Sequence, residues 1–227
     1  MDKEQLNDIL QWDVKSWSVA LRFWEGQVDW ARVDTVLELG GKRGGLSLWA
    51  ALKGKKTVCS DLKDVKASAE GLHGKYGVGH LVEYRDIDAT DIPYEDHFDL
   101  IVFKSVIGAV GRMDGIASQQ KAFDEIYKAL RPGGMLIFAE NLAASALHRK
   151  LRKRFTSWAH TWRYVTQKEL ELFLQKFSSR RVMATGITGP LGKTEGQRNI
   201  LASVDRIVLD RVCPDHWKYI GYGIATK

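Results

Sequence analysis

The sequence has few cysteines and no long apolar run, and both shortages narrow the classes of protein to which it can belong. Its two cysteines, Cys59 and Cys213, are too few for a disulfide framework and lack a metal-binding spacing. No apolar run approaches the roughly 20 residues that span a bilayer, and the first residues lack the apolar core of a signal peptide. We therefore expect a cytoplasmic protein, and its 227 residues suit one larger domain.

Acidic residues are absent from one particular stretch, residues 141–167. The same stretch holds six of the 34 lysines and arginines, and without those six the cations would equal the 28 acids. The net charge of +6 is therefore a local feature that calls for a local explanation. The six cations are Arg149, Lys150, Arg152, Lys153, Arg154 and Arg163.

Apolar periodicity predicts alternating strands and helices along most of the chain. Residues 3–25 have the three- and four-residue spacing of a helix, and their tryptophans either pack over a core or form an aromatic lid over a pocket. Strands are predicted at 35–39, 57–60, 81–84, 98–103, 135–139, 182–188 and 219–226. Helices are predicted at 45–53, 63–75, 117–130, 144–158 and 166–177. This alternation indicates right-handed βαβ units in a mainly parallel sheet.

A glycine-rich loop between the first strand and its helix is the strongest motif, although it lacks the residues of two common phosphate-binding loops. Gly40 and Gly45 have the separation of a P-loop, but Leu46 stands where that loop needs lysine. The dinucleotide fingerprint needs glycine at the third position from Gly40, where this chain has Lys42. Both motifs are therefore poor matches.

The loop and three later segments resemble class I S-adenosylmethionine (SAM)-dependent methyltransferases. Glu38-Leu-Gly40-Gly-Lys42-Arg-Gly44 is similar to the first motif of that family, with Lys42 in place of its middle glycine. Asp61 at the end of strand two, Asp88-Ala89 after strand three, and residues 130–140 follow in the family's order.

The resemblance implies a Rossmann-like α/β fold, with seven strands in a mainly parallel sheet and helices on both faces. Residues 1–30 would form an N-terminal helical cap, and residues 142–180 a helical insertion on the acceptor side, within one domain spanning residues 1–227. SAM would be the cofactor and S-adenosylhomocysteine the product, with no metal.

The resemblance also implies which residues hold the cofactor. Asp61 would accept hydrogen bonds from the ribose hydroxyls, and Asp88 would contact the adenine amino group. Helix capping by Asp61, a turn role for Asp88 and a capping role for Lys104 remain alternatives. The implied cofactor residues are Glu38, Gly40, Gly41, Lys42, Gly44, Asp61, Leu62, Asp88, Ala89 and Lys104.

The acceptor is less clearly indicated. The chain lacks the Asn/Asp-Pro-Pro-aromatic signature of amino-group and nucleobase methylation, so we expect O-methylation of a small polar acceptor, with sugars as the first expectation. A base would take the proton of the hydroxyl group. His148, His160 and Tyr164 are the candidates because of their location, although such histidines also occur as ordinary surface or core residues.

The cationic helix around residues 147–155 has three interpretations. It can be a solvated face, it can bind an anionic acceptor such as a sugar phosphate or nucleotide-linked sugar, or it can contact nucleic acid or an anionic membrane. An RNA methyltransferase and a non-catalytic interaction module are therefore the rival functions. The oligomeric state, including a homodimer, stays open.

Overall fold

The computed structural model describes residues 1–112, 114–155 and 162–227. Seven strands form one sheet in the order β3-β2-β1-β4-β5-β7-β6. β1 to β5 run parallel, whereas β7 is antiparallel to both β5 and β6. The strands are β1 (Thr35–Leu39), β2 (Lys56–Asp61), β3 (Val82–Asp86), β4 (Phe98–Lys104), β5 (Leu130–Asn141), β6 (Ser179–Thr185) and β7 (Ile220–Thr226).

The helices cover both faces of the sheet, as the resemblance implies. One apolar core includes Trp17, Trp24 and Trp49, and the other, on the opposite face, includes Phe123 and Phe173. The predicted Rossmann-like architecture is confirmed. The α-helices are α1 (Lys3–Leu10), α2 (Val14–Glu25), α3 (Gly45–Ala51), α4 (Val65–Lys75), α5 (Ile107–Val110), α6 (Ile116–Ala129), α7 (Ala146–Phe155), α8 (Gln167–Phe173), α9 (Glu195–Val204) and α10 (Asp210–Val212).

The single helix predicted over residues 3–25 is two helices in the structure. Gln11 and Asp13 have positive φ angles of 67° and 47°, which break the helix between α1 and α2. The backbone N–H groups of Asp13 and Val14 donate to the carboxylate of Glu195, at 3.2 and 2.8 Å. A distant acid therefore caps α2, and the apolar spacing of residues 3–25 carries no sign of that contact.

The segment after β6 holds helical structure that the apolar pattern did not predict. α9 begins with a capping box, in which Thr194 and Gln197 satisfy each other's backbone N–H groups. It runs into a π-helix, Asp205–Leu209. Within the described parts of the chain, no helix has the length and apolar character needed to cross a membrane.

Candidate functional site

A large cavity opens where the parallel strands end at their carboxyl edge. Its volume is about 1390 Å³, more than the roughly 300–1,000 Å³ of a typical small-molecule pocket. Its wall includes the loops after β1, β2 and β4, the turn between α1 and α2, and residues 190–193. Open α/β sheets bind ligands at this edge, so the cavity is the candidate site.

The glycine loop forms one end of this cavity, which we call the β1–β2 end. Gly40 and Gly44 have φ angles of 62° and 71°, which suit glycine. Lys42, which replaces the middle glycine of the family motif, also has a positive φ, of 49°. The loop therefore keeps a left-handed turn at the position where the sequence departs from the motif.

Glu38 supports the loop from beneath. Its side chain is buried, and its two carboxylate oxygens accept hydrogen bonds from the backbone N–H groups of Leu46 and Ser47, at 3.1 and 2.8 Å. Burial raises the pKa of this carboxyl group above its ordinary value. Glu38 thus borders the cavity and also caps the first turn of α3, which fixes where the loop ends.

Asp61 lies at the end of β2 and borders the same cavity. One carboxylate oxygen accepts the backbone N–H of Lys42 at 2.9 Å, and the other accepts that of Leu62 at 2.7 Å. Each oxygen keeps a further lone pair for a ligand. Asp61 therefore joins β2 to the glycine loop, while the Leu62 side chain is 64% exposed at the cavity edge.

Asp88 and Ala89 line the cavity beside this end. Asp88 Oδ1 accepts from both the backbone N–H and the hydroxyl of Thr90, each at 2.8 Å. Asp88 therefore stabilises a turn, which is one of the two interpretations that the sequence allows. Asp88 also borders the cavity. The two interpretations of Asp88 are thus compatible.

Lys104 ends β4 and borders the cavity from the N-terminal side. Its Nζ donates to the carbonyl oxygen of Leu10 at 2.5 Å and lies 4.2 and 5.0 Å from the ring centroids of Trp12 and Trp17. Burial lowers the pKa of this amine to about 7. Lys104 therefore connects the sheet to the turn between α1 and α2. Trp12 borders the cavity, whereas Trp17 is buried in the core.

Two of the three candidate bases lie in the cavity wall, and the third is outside the described residues. His148 is buried, with Nε2 donating to the carbonyl oxygen of Ile187 at 2.5 Å and Nδ1 lying 2.7 Å from the hydroxyl of Ser145. Tyr164 also lines the cavity. His160 falls in residues 156–161, so the structure does not describe it.

Asp13 and Tyr219 form a buried pair in the cavity wall that sequence analysis missed. The hydroxyl of Tyr219 donates to Asp13 Oδ2 at 2.6 Å, and Ser16 donates to Oδ1 at 2.8 Å. Burial raises the pKa of Asp13 and the pKa of Tyr219 above their ordinary values. No local pattern marks the pair, because its members are 206 positions apart.

The cations that line the cavity differ from those of the acid-free stretch, residues 141–167. Arg112, Lys193 and Arg198 border the cavity together with Lys104. From residues 141–167, the described cations Arg149, Lys150, Arg154 and Arg163 do not border it. Arg149 instead donates to the carbonyl oxygen of Ala144 at 2.9 Å, and Arg163 donates to Gln119 and Glu169.

Glu140 at the end of β5 is completely buried and supports the β4 side of the site. Its carboxylate accepts the backbone N–H groups of Val106, Ile107 and Asn141, at 2.8, 2.6 and 2.8 Å. Burial raises the pKa of Glu140 to about 7. Glu140 thus holds the start of α5, as Glu38 holds that of α3.

Within the described residues, no group of three or more His, Cys, Asp and Glu side chains is arranged for a metal ion.

Solved structures with the same fold include enzymes of different activity. Phosphoethanolamine N-methyltransferase 2 of Haemonchus contortus, in complex with S-adenosyl-L-methionine, has a TM-score of 0.66 at 16% identity, and the match covers 99% of this chain and 56% of that chain. This chain thus spans little more than half of the Haemonchus protein. A SAM-dependent methyltransferase of Methanosarcina mazei has a TM-score of 0.62 at 18% identity, covering 90% and 96% of the two chains. The [4+2]-cyclase SpnF has a TM-score of 0.61 at 16% identity, covering 94% and 80%.

The sequence itself also matches a family model. Residues 37–138 match the model described as a methyltransferase domain, and this range runs from β1 into β5. Comparison with curated protein sequences gives no match. Residues 37–138 are therefore similar to a methyltransferase domain, and the chain shares the fold of solved SAM-dependent methyltransferases.

Proposed function

We propose that the protein transfers a methyl group from SAM to a hydroxyl of a small polar acceptor and releases S-adenosylhomocysteine. The observation that carries this proposal is one continuous cavity with two chemically different ends. The β1–β2 end has the glycine loop, Asp61 and Asp88. The other end, which we call the acceptor end, has the Asp13–Tyr219 pair, His148 and a set of cations.

We place the cofactor at the β1–β2 end because the residues of that end fit the shape and polarity of a nucleoside. Gly41 presents only backbone to the cavity, since a Cβ atom there would lie 2.9 Å from the Glu38 carboxyl group. The carboxylates of Asp61 and Asp88 keep lone pairs for ribose hydroxyls and an amino group. The apolar side chains of Ile87 and Ala89 would cover the flat face of a base.

The acceptor end supplies what methyl transfer to oxygen needs. The acceptor oxygen bonds to the methyl carbon as the bond from that carbon to sulfur breaks, and the hydroxyl proton passes to a base. We add Asp13 to His148, His160 and Tyr164 as a candidate for that base. Its raised pKa means that it holds a proton more readily than an ordinary aspartate.

We propose further that the acceptor is anionic, such as a sugar phosphate or a nucleotide-linked sugar. Lys193 and Arg112 line the cavity, and neither forms an ion pair with a described carboxylate within 4.0 Å. Arg198 is oriented by the carbonyl oxygen of Gly192 at 3.1 Å, and its nearest carboxylate is that of Glu195, 3.7 Å away. Phosphate oxygens are suitable partners for such cations.

If the cations that line the cavity bind the acceptor, their removal should weaken acceptor binding, whereas removal of a cation from the basic helix should not. Lys193→Gln and Arg198→Gln should each raise KM for a phosphorylated acceptor by roughly tenfold, since each removes a charged hydrogen bond. Steady-state kinetics at saturating SAM measures this change. Lys150→Gln, at an exposed position of α7, is the matched control and should leave KM unchanged. A larger effect from Lys150→Gln would instead favour the basic helix as the acceptor site.

The experiment that tests the function is methyl transfer from radiolabelled SAM to a panel of acceptors. The panel pairs sugar phosphates and nucleotide-linked sugars with their uncharged counterparts, and it includes phosphoethanolamine and RNA. Labelling of phosphorylated hydroxyl acceptors supports the proposal. Labelling of RNA would overturn the small-acceptor part, and SAM binding without any labelled product would favour a non-transferring protein of this fold.

The cavity also supports a proposal for how the chain is organised. We propose one domain over residues 1–227, in which residues 1–30 cap the cavity and residues 142–180 form an insertion on its acceptor side. Ile9, Trp12 and Asp13 border the cavity from the first segment, and His148 and Tyr164 border it from the second.

A further inference from the structure

The surface formed by α9, the following π-helix and the short helix Asp210–Val212 exposes five aliphatic side chains. Their exposed fractions range from 44% for Val204 to 71% for Val212. The chain buries most of its other aliphatic residues, so this concentration calls for an explanation. We call these side chains the apolar stripe: Ile200, Val204, Ile207, Val208 and Val212.

The spacing of the apolar stripe places its members along one side of a continuous helical segment. They occur at intervals of four, three, one and four residues, which is the repeat of one helix face. The segment from Ile200 to Val212 is about 18 Å long at helical rise. Trp217, which is 45% exposed, follows shortly after, and tryptophan favours the boundary between water and lipid.

The acids of this segment are all used inside the protein. Glu195 caps α2, as described above. Asp205 is buried and accepts hydrogen bonds from the backbone N–H groups of Ile187 and Thr188, each at 2.9 Å. Asp210 accepts from the hydroxyl of Thr185 at 2.6 Å and from the N–H of Gly186 at 2.8 Å. These contacts hold the segment against the loop after β6.

Two arginines of the same segment face outwards, unlike Arg198 in the cavity wall. Arg206 and Arg211 are exposed, and among the described residues no carboxylate lies within 4.0 Å of either guanidinium group. The outer surface therefore combines aliphatic side chains with unpaired positive charge. This is the composition of a helix that lies in the plane of an anionic membrane surface.

We propose that the apolar stripe, Arg206 and Arg211 form a binding face for an anionic lipid bilayer. The aliphatic side chains enter the boundary between headgroups and acyl chains, and the two arginines bind lipid phosphates. A second copy of the chain fits this face less well, because an isologous interface would pair two surfaces that both carry arginines and whose acids, Asp205 and Asp210, are turned inwards. α9 also carries Arg198 in the cavity wall, so the cavity lies beside the membrane face.

Vesicle flotation of the full chain tests this proposal without needing the acceptor or SAM. Wild-type protein should float with vesicles of phosphatidylcholine containing about 30% phosphatidylglycerol and should not float with phosphatidylcholine alone. Ile207→Gln and the double change Arg206→Gln/Arg211→Gln should each reduce the partition coefficient by about tenfold. These side chains are exposed, so the variants should fold like wild type, which circular dichroism checks.

Two matched controls distinguish binding by this face from nonspecific adsorption through any exposed apolar side chain or cation. Leu172→Gln removes a side chain that is 52% exposed on α8, and Lys150→Gln removes a cation from α7; both variants should float like wild type. Failure of wild-type protein to float overturns the proposal, as does equal flotation of every variant. A dimer in sedimentation velocity that Ile207→Gln dissociates, without flotation, would make the face an interface between copies. Since flotation needs no methyl transfer, its failure leaves the proposed activity intact.

Discussion

Gly45→Ala is expected to destabilise the protein by about 2–3 kcal/mol, because a side chain at this position has no room. A Cβ atom on Gly45 would lie 2.1 Å from the carbonyl oxygen of Ile9 and 3.0 Å from that of Asp8. Both oxygens belong to the backbone of α1, so relief requires moving that helix. Urea unfolding followed by circular dichroism measures the loss in the free energy of unfolding.

A matched substitution in another helix distinguishes this effect from the general effect of adding a methyl group. Gly71 lies within α4, and a Cβ atom there would meet nothing within 4 Å. Gly71→Ala should therefore stabilise the protein by about 0.5–1 kcal/mol through helix propensity. If Gly45→Ala is as stable as wild type, α1 is not seated on α3, and the N-terminal segment does not cap the cavity.

Asp61→Ala is expected to weaken SAM binding by about 1–3 kcal/mol, which is roughly a 5- to 150-fold increase in Kd. The change removes the acceptor proposed for the ribose hydroxyls. It also leaves the N–H of Lys42 without its 2.9 Å partner, so the turn at that residue loses its support. Isothermal titration calorimetry with SAM measures the change.

Asp91→Ala is the control for this second substitution. Asp91 lies in the neighbouring loop with an exposed side chain and does not border the cavity, so its removal should leave Kd unchanged. A folded Asp61→Ala protein that binds SAM as tightly as wild type would remove Asp61 from the cofactor site, and the interpretation of the glycine loop would then lose its main support.

The sheet was predictable because each strand carries its own local signal. The alternation of apolar runs with amphipathic segments predicted seven strands, and the resemblance implied that they form one mainly parallel sheet with helices on both faces. The glycine loop was also predictable, although Lys42 made it an imperfect match. Its left-handed conformation depends on Asp61 from β2, and one strand's pattern cannot reveal a partner in the next.

Features that depend on contacts between distant residues could not be predicted from local sequence patterns. The break between α1 and α2 depends on Glu195, and the buried Asp13 depends on Tyr219. α9 is different, because Thr194 and Gln197 carry a capping signal that was available in the sequence. The acid-free stretch attracted attention as the source of positive charge, whereas the cavity draws its cations from separate segments that only the fold brings together.

Whether the cavity binds SAM is measured by calorimetric titration of the full chain with SAM and S-adenosylhomocysteine, with NAD and ATP as comparison ligands. We expect one site with a Kd of about 1–100 μM for the two sulfur ligands and no measurable binding of NAD or ATP. Absence of binding by both sulfur ligands would contradict this expectation, and would mean that the loop around Lys42 does not admit the cofactor.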